Sequence, residues 1–209
     1  MMNSTEKEMG LAIDWDVSVR PMAKGAVSGD VHVLKECEEG VLLAALDGAG
    51  HGEPAREAAT AAARLLEAHA GEPAVTLMAR CHEALTLTRG AAMTLVCFRT
   101  RENRIDWLGV GNVEGRLIRA HPEAAERSEA IVLQGGLLGY RLPLLRPASL
   151  AISPRDVVVL ATDGIHADFA EDVNVWHTPA RIATDIMDQR WKGNDDALLV
   201  VARYLGAAI

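Results

Sequence analysis

The chain has 209 residues and a formal net charge of -8, enough for one globular domain with a sizeable core but little room for a second. The acidic balance excludes broad nucleic-acid binding, which relies on Lys and Arg. No run approaches the roughly eighteen consecutive apolar residues of a membrane span. Residues 1–10 read as a polar, flexible segment without a signal-type apolar core, which leaves 11–209 as a single expected domain, cytoplasmic, with a monomer favoured.

Alternation of apolar residues predicts strands over Leu11 to Arg20 and Asp30 to Glu36, separated by a glycine-containing turn from Lys24 to Gly29. Val41 to Leu46 is almost continuously apolar, as a strand covered on both faces would be, and it stops at Asp47-Gly48-Ala49-Gly50-His51-Gly52. An Ala-rich helix from about Glu53 to Ala70 follows, then a second from Pro73 to about Leu87, where proline suits a first helical turn. The two are expected to lie antiparallel. Beyond Arg89-Gly90 the strand signals return over Ala92 to Arg99, Arg104 to Gly109, Val113 to Arg119, Ala130 to Gln134 and Asp156 to Thr162, which suggests a meander. Pro147 and Pro154 bracket one more short strand-like piece. A last amphipathic helix, Pro179 to Trp191, is joined to a final strand, Ala197 to Tyr204, through the turn Gly193-Asn194-Asp195-Asp196. Strands in runs, broken by blocks of helix, favour an α+β layered sandwich over a doubly wound parallel sheet.

The cysteines, Cys37, Cys81 and Cys97, are widely spaced and odd in number, which suits neither a disulfide framework nor a zinc knuckle. Six positions after each stands Leu43, Leu87 or Asn103 rather than arginine, so the thiolate-and-arginine loop of cysteine phosphatases is excluded. Trp15, Trp107, Trp176 and Trp191 are scattered without interleaved basic residues and read as core or edge packing.

The placement of the aspartates carries the chemistry. Asp30 opens a predicted strand, Asp47 closes one, Asp163 closes another, and Asp195 stands in the turn before the last. Carboxylates gathered at one edge of stacked sheets would repel one another and resist ionisation unless hard cations neutralised them. Oxygen donors of this kind select Mg²⁺ or Mn²⁺ over zinc. Two such ions about 3.5–4 Å apart would activate a water and clamp the oxygens of an in-line displacement at phosphorus. For a single Asp beside Gly, a turn residue bonding its own backbone is the simpler reading.

The ordered set Gly29-Asp30, Asp47-Gly48-Ala49-Gly50-His51-Gly52, Arg89-Gly90-Ala91-Ala92-Met93-Thr94, Gly109-Val110-Gly111-Asn112, Ala161-Thr162-Asp163-Gly164 and Asn194-Asp195-Asp196 resembles the motifs of the PPM family of metal-dependent serine/threonine protein phosphatases. Within it the chain is similar to the bacterial SpoIIE-like branch and its short RsbX-type members, which act on stressosome proteins. The resemblance runs from about Lys24 to Leu205 and implies an α-β-β-α sandwich of two facing antiparallel sheets between helical layers. It also implies two Mn²⁺ or Mg²⁺ ions. Asp47 would bridge both, the Gly48 carbonyl and Asp30 would complete one shell, and Asp163 and Asp195 would hold the other ion. The activity implied is hydrolysis of phosphoserine or phosphothreonine by metal-activated water without a phosphoenzyme, and the implied partners are phosphorylated STAS-domain proteins of a stress-signalling assembly. Many eukaryotic members carry a phosphate-gripping arginine ahead of the first acidic motif, whereas Arg20 and Lys24 here are not spaced to match. Ala167 stands where many larger bacterial relatives have an acidic residue, a departure compatible with the RsbX-type group.

Several residues keep two readings. His51 either touches substrate or is a solvated loop histidine. Arg89 either faces the phosphate or caps a strand entrance. Asn112 either orders the site or makes a turn, and Asp196 is either a further ligand or a turn cap. His82 and His166 have no ligand spacing and receive no role. Two other functions compete: a catalytically inactive phosphatase-like binding module, and a dinucleotide-binding oxidoreductase suggested by the glycine loop after an apolar strand. The latter fits poorly, since the third glycine falls one place early and Asp47 would oppose a pyrophosphate.

Overall fold

A computed structural model describes residues 12–121 and 127–206; the expected flexible segment 1–10 lies outside them. The apolar run predicted as a doubly covered strand forms β3 (Gly40–Gly48), with Val41 to Leu46 all buried. It lies between β2 (Asp30–Cys37) and β4 (Ala91–Arg99), antiparallel to both. The sheet continues through β5 (Arg104–Val110), and its last strand is β8 (Ala148–Ala151), the piece bracketed by Pro147 and Pro154.

The facing sheet has the order β1-β10-β9-β6-β7, from β1 (Ile13–Arg20), β6 (Glu114–Ile118), β7 (Ser128–Ala130), β9 (Val157–Ala161) and β10 (Ala197–Tyr204). The expected meander after Arg89 is thus divided. β4 and β5 form a hairpin in the first sheet, whereas β6 crosses to the second and pairs with β9. The strand expected over Ala130 to Gln134 is also displaced. β7 ends at Ala130, and Gln134 makes only an isolated bridge to Val110.

Period-two alternation explains the layering. Val41, Leu43 and Ala45 pack with Val158, Leu160, Leu198 and Val200 between the sheets, while Leu42, Ala44 and Leu46 face the helices. On that outer side lie α1 (Glu53–Ala68) and α2 (Ala74–Ala84), the latter ending sooner than the sequence suggests. The buried face of α1 is Ala55, Ala58, Ala59, Ala62, Ala63 and Leu66, mostly small side chains that let the helix sit close to β3. α3 (Pro179–Arg190), capped by the Thr178 hydroxyl accepting from the Arg181 amide, covers the other sheet through Ile182, Ala183, Ile186 and Met187. This is the α-β-β-α sandwich. An antiparallel sheet of this kind also removes the parallel strand-helix-strand unit that a dinucleotide site requires.

No helix among the described residues is long and apolar enough to cross a membrane. The three thiols are free, and burial pushes those of Cys81 and Cys97 up to about 12, which leaves them as packing groups. Trp107 is core, but Trp176 departs from the packing expectation. It is 65% exposed, with the Arg155 guanidinium 4.9 Å from its ring centroid. His82, given no role from sequence, accepts the Gly139 amide on Nδ1 at 3.0 Å and so holds the loop beside α2.

Candidate metal centre

The row Val41, Leu43, Ala45 continues to Asp47, so the inter-sheet register that buries apolar side chains delivers a carboxylate at the open end of the sandwich. Asp30 is the direct cross-strand partner of Asp47 and lies on the same side. From the opposite sheet, Asp163 follows β9 and Asp195 precedes β10. The acidic groups are therefore divided between the two sheets and meet at their seam.

Asn112 spans that seam. Its Nδ2 donates to Asp163 Oδ2 at 2.7 Å and to Asp47 Oδ2 at 3.3 Å, so the amide orders the site and the plain turn reading fails. Asp47, Asn112, Asp163 and Asp195 line one cleft of about 370 Å³ together with Gly50 and His51. Asp30 does not line it. It is 3% exposed behind Asp47, where its Oδ2 accepts the Thr162 hydroxyl at 2.8 Å. Thr162 Oγ1 in turn accepts the Leu198 amide at 2.8 Å, so one hydroxyl joins β2 to the ends of β9 and β10. Asp196 is a structural tie. Its two oxygens accept the Met22 and Gly29 amides, each at 2.8 Å, and fasten the last turn to the segment between β1 and β2.

Both Asp-Gly pairs owe their glycine to close packing rather than to a left-handed backbone. A Cβ on Gly48 would stand 2.0 Å from the Ala55 carbonyl oxygen, and one on Gly164 would stand 2.0 Å from the Asp196 carbonyl oxygen. Neither backbone can withdraw without moving the adjacent aspartate. The Asp163-Gly164 turn is also laced to the segment before Asp195: the Lys192 amide donates to the Gly164 carbonyl at 2.9 Å and Lys192 Nζ to the Asp163 carbonyl at 2.6 Å. Gly164→Ala is expected to destabilise the fold by about 1–3 kcal/mol, as overpacked sites do, with a lowered midpoint in denaturant titration as the readout.

Burial and crowding, with little countercharge, set the electrostatics. Burial, then the charge of Asp47, pushes the Asp30 carboxyl up to about 8 against the Thr162 hydrogen bond. Burial, then Asp163, pushes Asp47 up to about 7 despite Asn112. Asp163 is raised by burial and by Asp195, against the Asn112 hydrogen bond and the nearby Lys192 ammonium. Among the described residues, none of these carboxylates forms an ion pair with Lys, Arg or His. The donor set is all oxygen, crowded, and short of positive charge, which suits a hard divalent cation. No three acidic, His or Cys side chains among the described residues close around an ion by themselves. Mg²⁺-type sites meet that condition by keeping several waters and taking only one or two carboxylates each. The residues therefore fit the group.

A profile of Stage II sporulation protein E (SpoIIE) matches residues 38–204. The chain belongs to the SpoIIE family. Asp47, Asn112, Asp163 and Asp195 all fall inside the matched region and Asp30 precedes it. The phosphoserine phosphatase RsbX of Bacillus subtilis (strain 168) is 27% identical over 114 residues, 54% of this chain and 56% of that protein, so the match spans about half the length of this relative. A chain from structural work on the bacterial stressosome, a modular system adapted to control secondary messenger signalling, superposes with a TM-score of 0.81 at 26% identity, covering 91% of this chain and 99% of that one. RsbX in complex with magnesium superposes with a TM-score of 0.80 at 19% identity, covering 91% and 94%, which shows the shared fold. The acidic edge of this chain is thus built by residues from both sheets. The ties from Thr162, Asn112 and Asp196 were missed or left open by sequence reading. Only their position beside the aspartates hinted at them.

Proposed function

We propose that this SpoIIE-family chain is a metal-dependent protein serine/threonine phosphatase. The observation that carries the reading is the cleft in which Asp47 and Asp163, from opposite sheets, share one asparagine amide while, among the described residues, neither forms an ion pair. Two Mn²⁺ or Mg²⁺ ions would be held by Asp30, Asp47, the Gly48 carbonyl, Asp163 and Asp195, and when bound they supply Lewis acidity and an activated water for attack at phosphorus. Asp47 would hold a cation together with its neighbours, since Asp30 is its cross-strand partner and the charge of Asp163 acts on it. Asn112 fixes the orientation of two carboxylates so that they need not reorganise during the reaction. Asp30, deep and hydrogen-bonded to Thr162, would act from behind Asp47 rather than from the cleft floor.

The substrate class is phosphoserine or phosphothreonine on a protein. The likeness to RsbX and to a stressosome-associated chain supports a phosphorylated STAS-domain protein as the partner. The deciding assay is phosphate release from a phosphoserine protein after chelation and re-addition of Mn²⁺ or Mg²⁺. Turnover is expected only with the divalent ion. Absence of turnover at every metal concentration would instead favour an inactive phosphatase-like binding module.

A further inference from the structure

A phosphorylated substrate is itself an anion and must approach a cleft walled by carboxylates. The cations around the cleft differ in what they are already bonded to. Arg20 pairs with Asp188 at 2.8 Å and lies over the Trp191 ring, Arg56 donates to the Asp30 carbonyl at 2.7 Å, and Lys192 donates to the Asp163 carbonyl at 2.6 Å. Arg89 is different: its exposed side chain makes no ion pair or hydrogen bond among the described residues.

Its position is defined nonetheless. Nη1 of Arg89 lies 2.9 Å from the point a Cβ on Gly50 would occupy, so the guanidinium rests on the bare face of a cleft-lining glycine whose φ is 92°. The loops that carry the two residues are joined by the Ala49 amide donating to the Gly90 carbonyl at 2.9 Å. A side chain at position 50 would fill the place where the arginine lies.

We propose that Arg89 is the substrate-binding residue that grips the phosphoryl group, laying its fork across Gly50 to meet two phosphoryl oxygens. The inference rests on the phosphatase reading. Guanidinium is the side chain best matched to bidentate phosphate contact, and it supplies positive charge at the rim of a cleft whose walls are acidic.

The test compares wild-type protein, Arg89→Ala, Arg89→Lys and, as a control at the other end of β4, Arg101→Ala, all loaded with Mn²⁺. Calorimetric titration with inorganic phosphate and steady-state hydrolysis of a phosphoserine peptide are read together. Arg89→Ala is expected to raise both the phosphate dissociation constant and KM at least about tenfold, with unchanged Mn²⁺ binding. Arg89→Lys should recover part of the loss, and Arg101→Ala should match the wild type. Equal phosphate affinity in wild type and Arg89→Ala would overturn the proposal, as would a wild type that binds no phosphate. If the wild type binds phosphate through Arg89 yet hydrolyses nothing, the phosphatase reading fails while the anion site stands.

Discussion

Asp47→Asn is expected to cut metal-supported turnover by at least about a thousandfold while leaving the protein folded. The substituted amide would retain an oxygen able to accept from the Asn112 side chain, so the local hydrogen bonding survives and the change is chiefly in charge. Burial is the main reason Asp30 and Asp47 sit above the usual carboxylate range, and the charge of neighbouring carboxylates adds to it; the substitution removes a buried carboxyl and takes its charge away from Asp30. The metal-free variant should therefore melt no lower than the metal-free wild type. Circular dichroism melts and phosphate release with Mn²⁺ check the two halves. A variant that keeps a near-normal rate would remove Asp47 from the centre.

The second large effect is on stability against pH. Asp30 and Asp47 ionise near 3.8 when exposed but are pushed up to about 8 and about 7 in the folded chain. Between those limits the folded state holds protons that the unfolded state has released, so stability falls as pH rises from about 4 to about 8. One pKa unit corresponds to about 1.4 kcal/mol, so the loss across this window amounts to several kcal/mol. Chelated protein is expected to melt at a clearly lower temperature at pH 8 than at pH 5. Added Mn²⁺ should restore the melting temperature at pH 8 and do little at pH 5, where protons compete for the same oxygens. A chelated protein that melts higher at pH 8, or an Asp47→Asn variant with the same pH slope as the wild type, would contradict the origin assigned to the effect.

What the sequence made legible was local. The run Val41 to Leu46 ending at Asp47, and Val157 to Ala161 ahead of Asp163, announce buried strands with a carboxylate at the end, because burial and turn chemistry are written in neighbouring residues. The turn before Ala197 was equally visible, and β10 begins and ends where the pattern predicts. Partition of the strands between sheets was not visible, because β6 pairs with β9 some forty residues on and nothing in either strand names its partner. The ties within the site are longer still. Thr162 meets Asp30 across 132 positions and Asp196 meets Gly29 across 167. Small polar residues beside glycine carry a local turn explanation that is complete in itself, so their distant partners leave no trace in spacing. The same holds for Arg89, whose seat exists only because Gly50 folds beneath it.

The hydroxyl of Thr162 touches elements of both halves of the molecule at once. Any sliding of one layer past the other must pull on that single group, and the same slide would alter the gap across which Asn112 reaches. The two layers are thereby pinned together at their acidic end, and the spacing of carboxylates that come from different sheets is set by these few polar contacts.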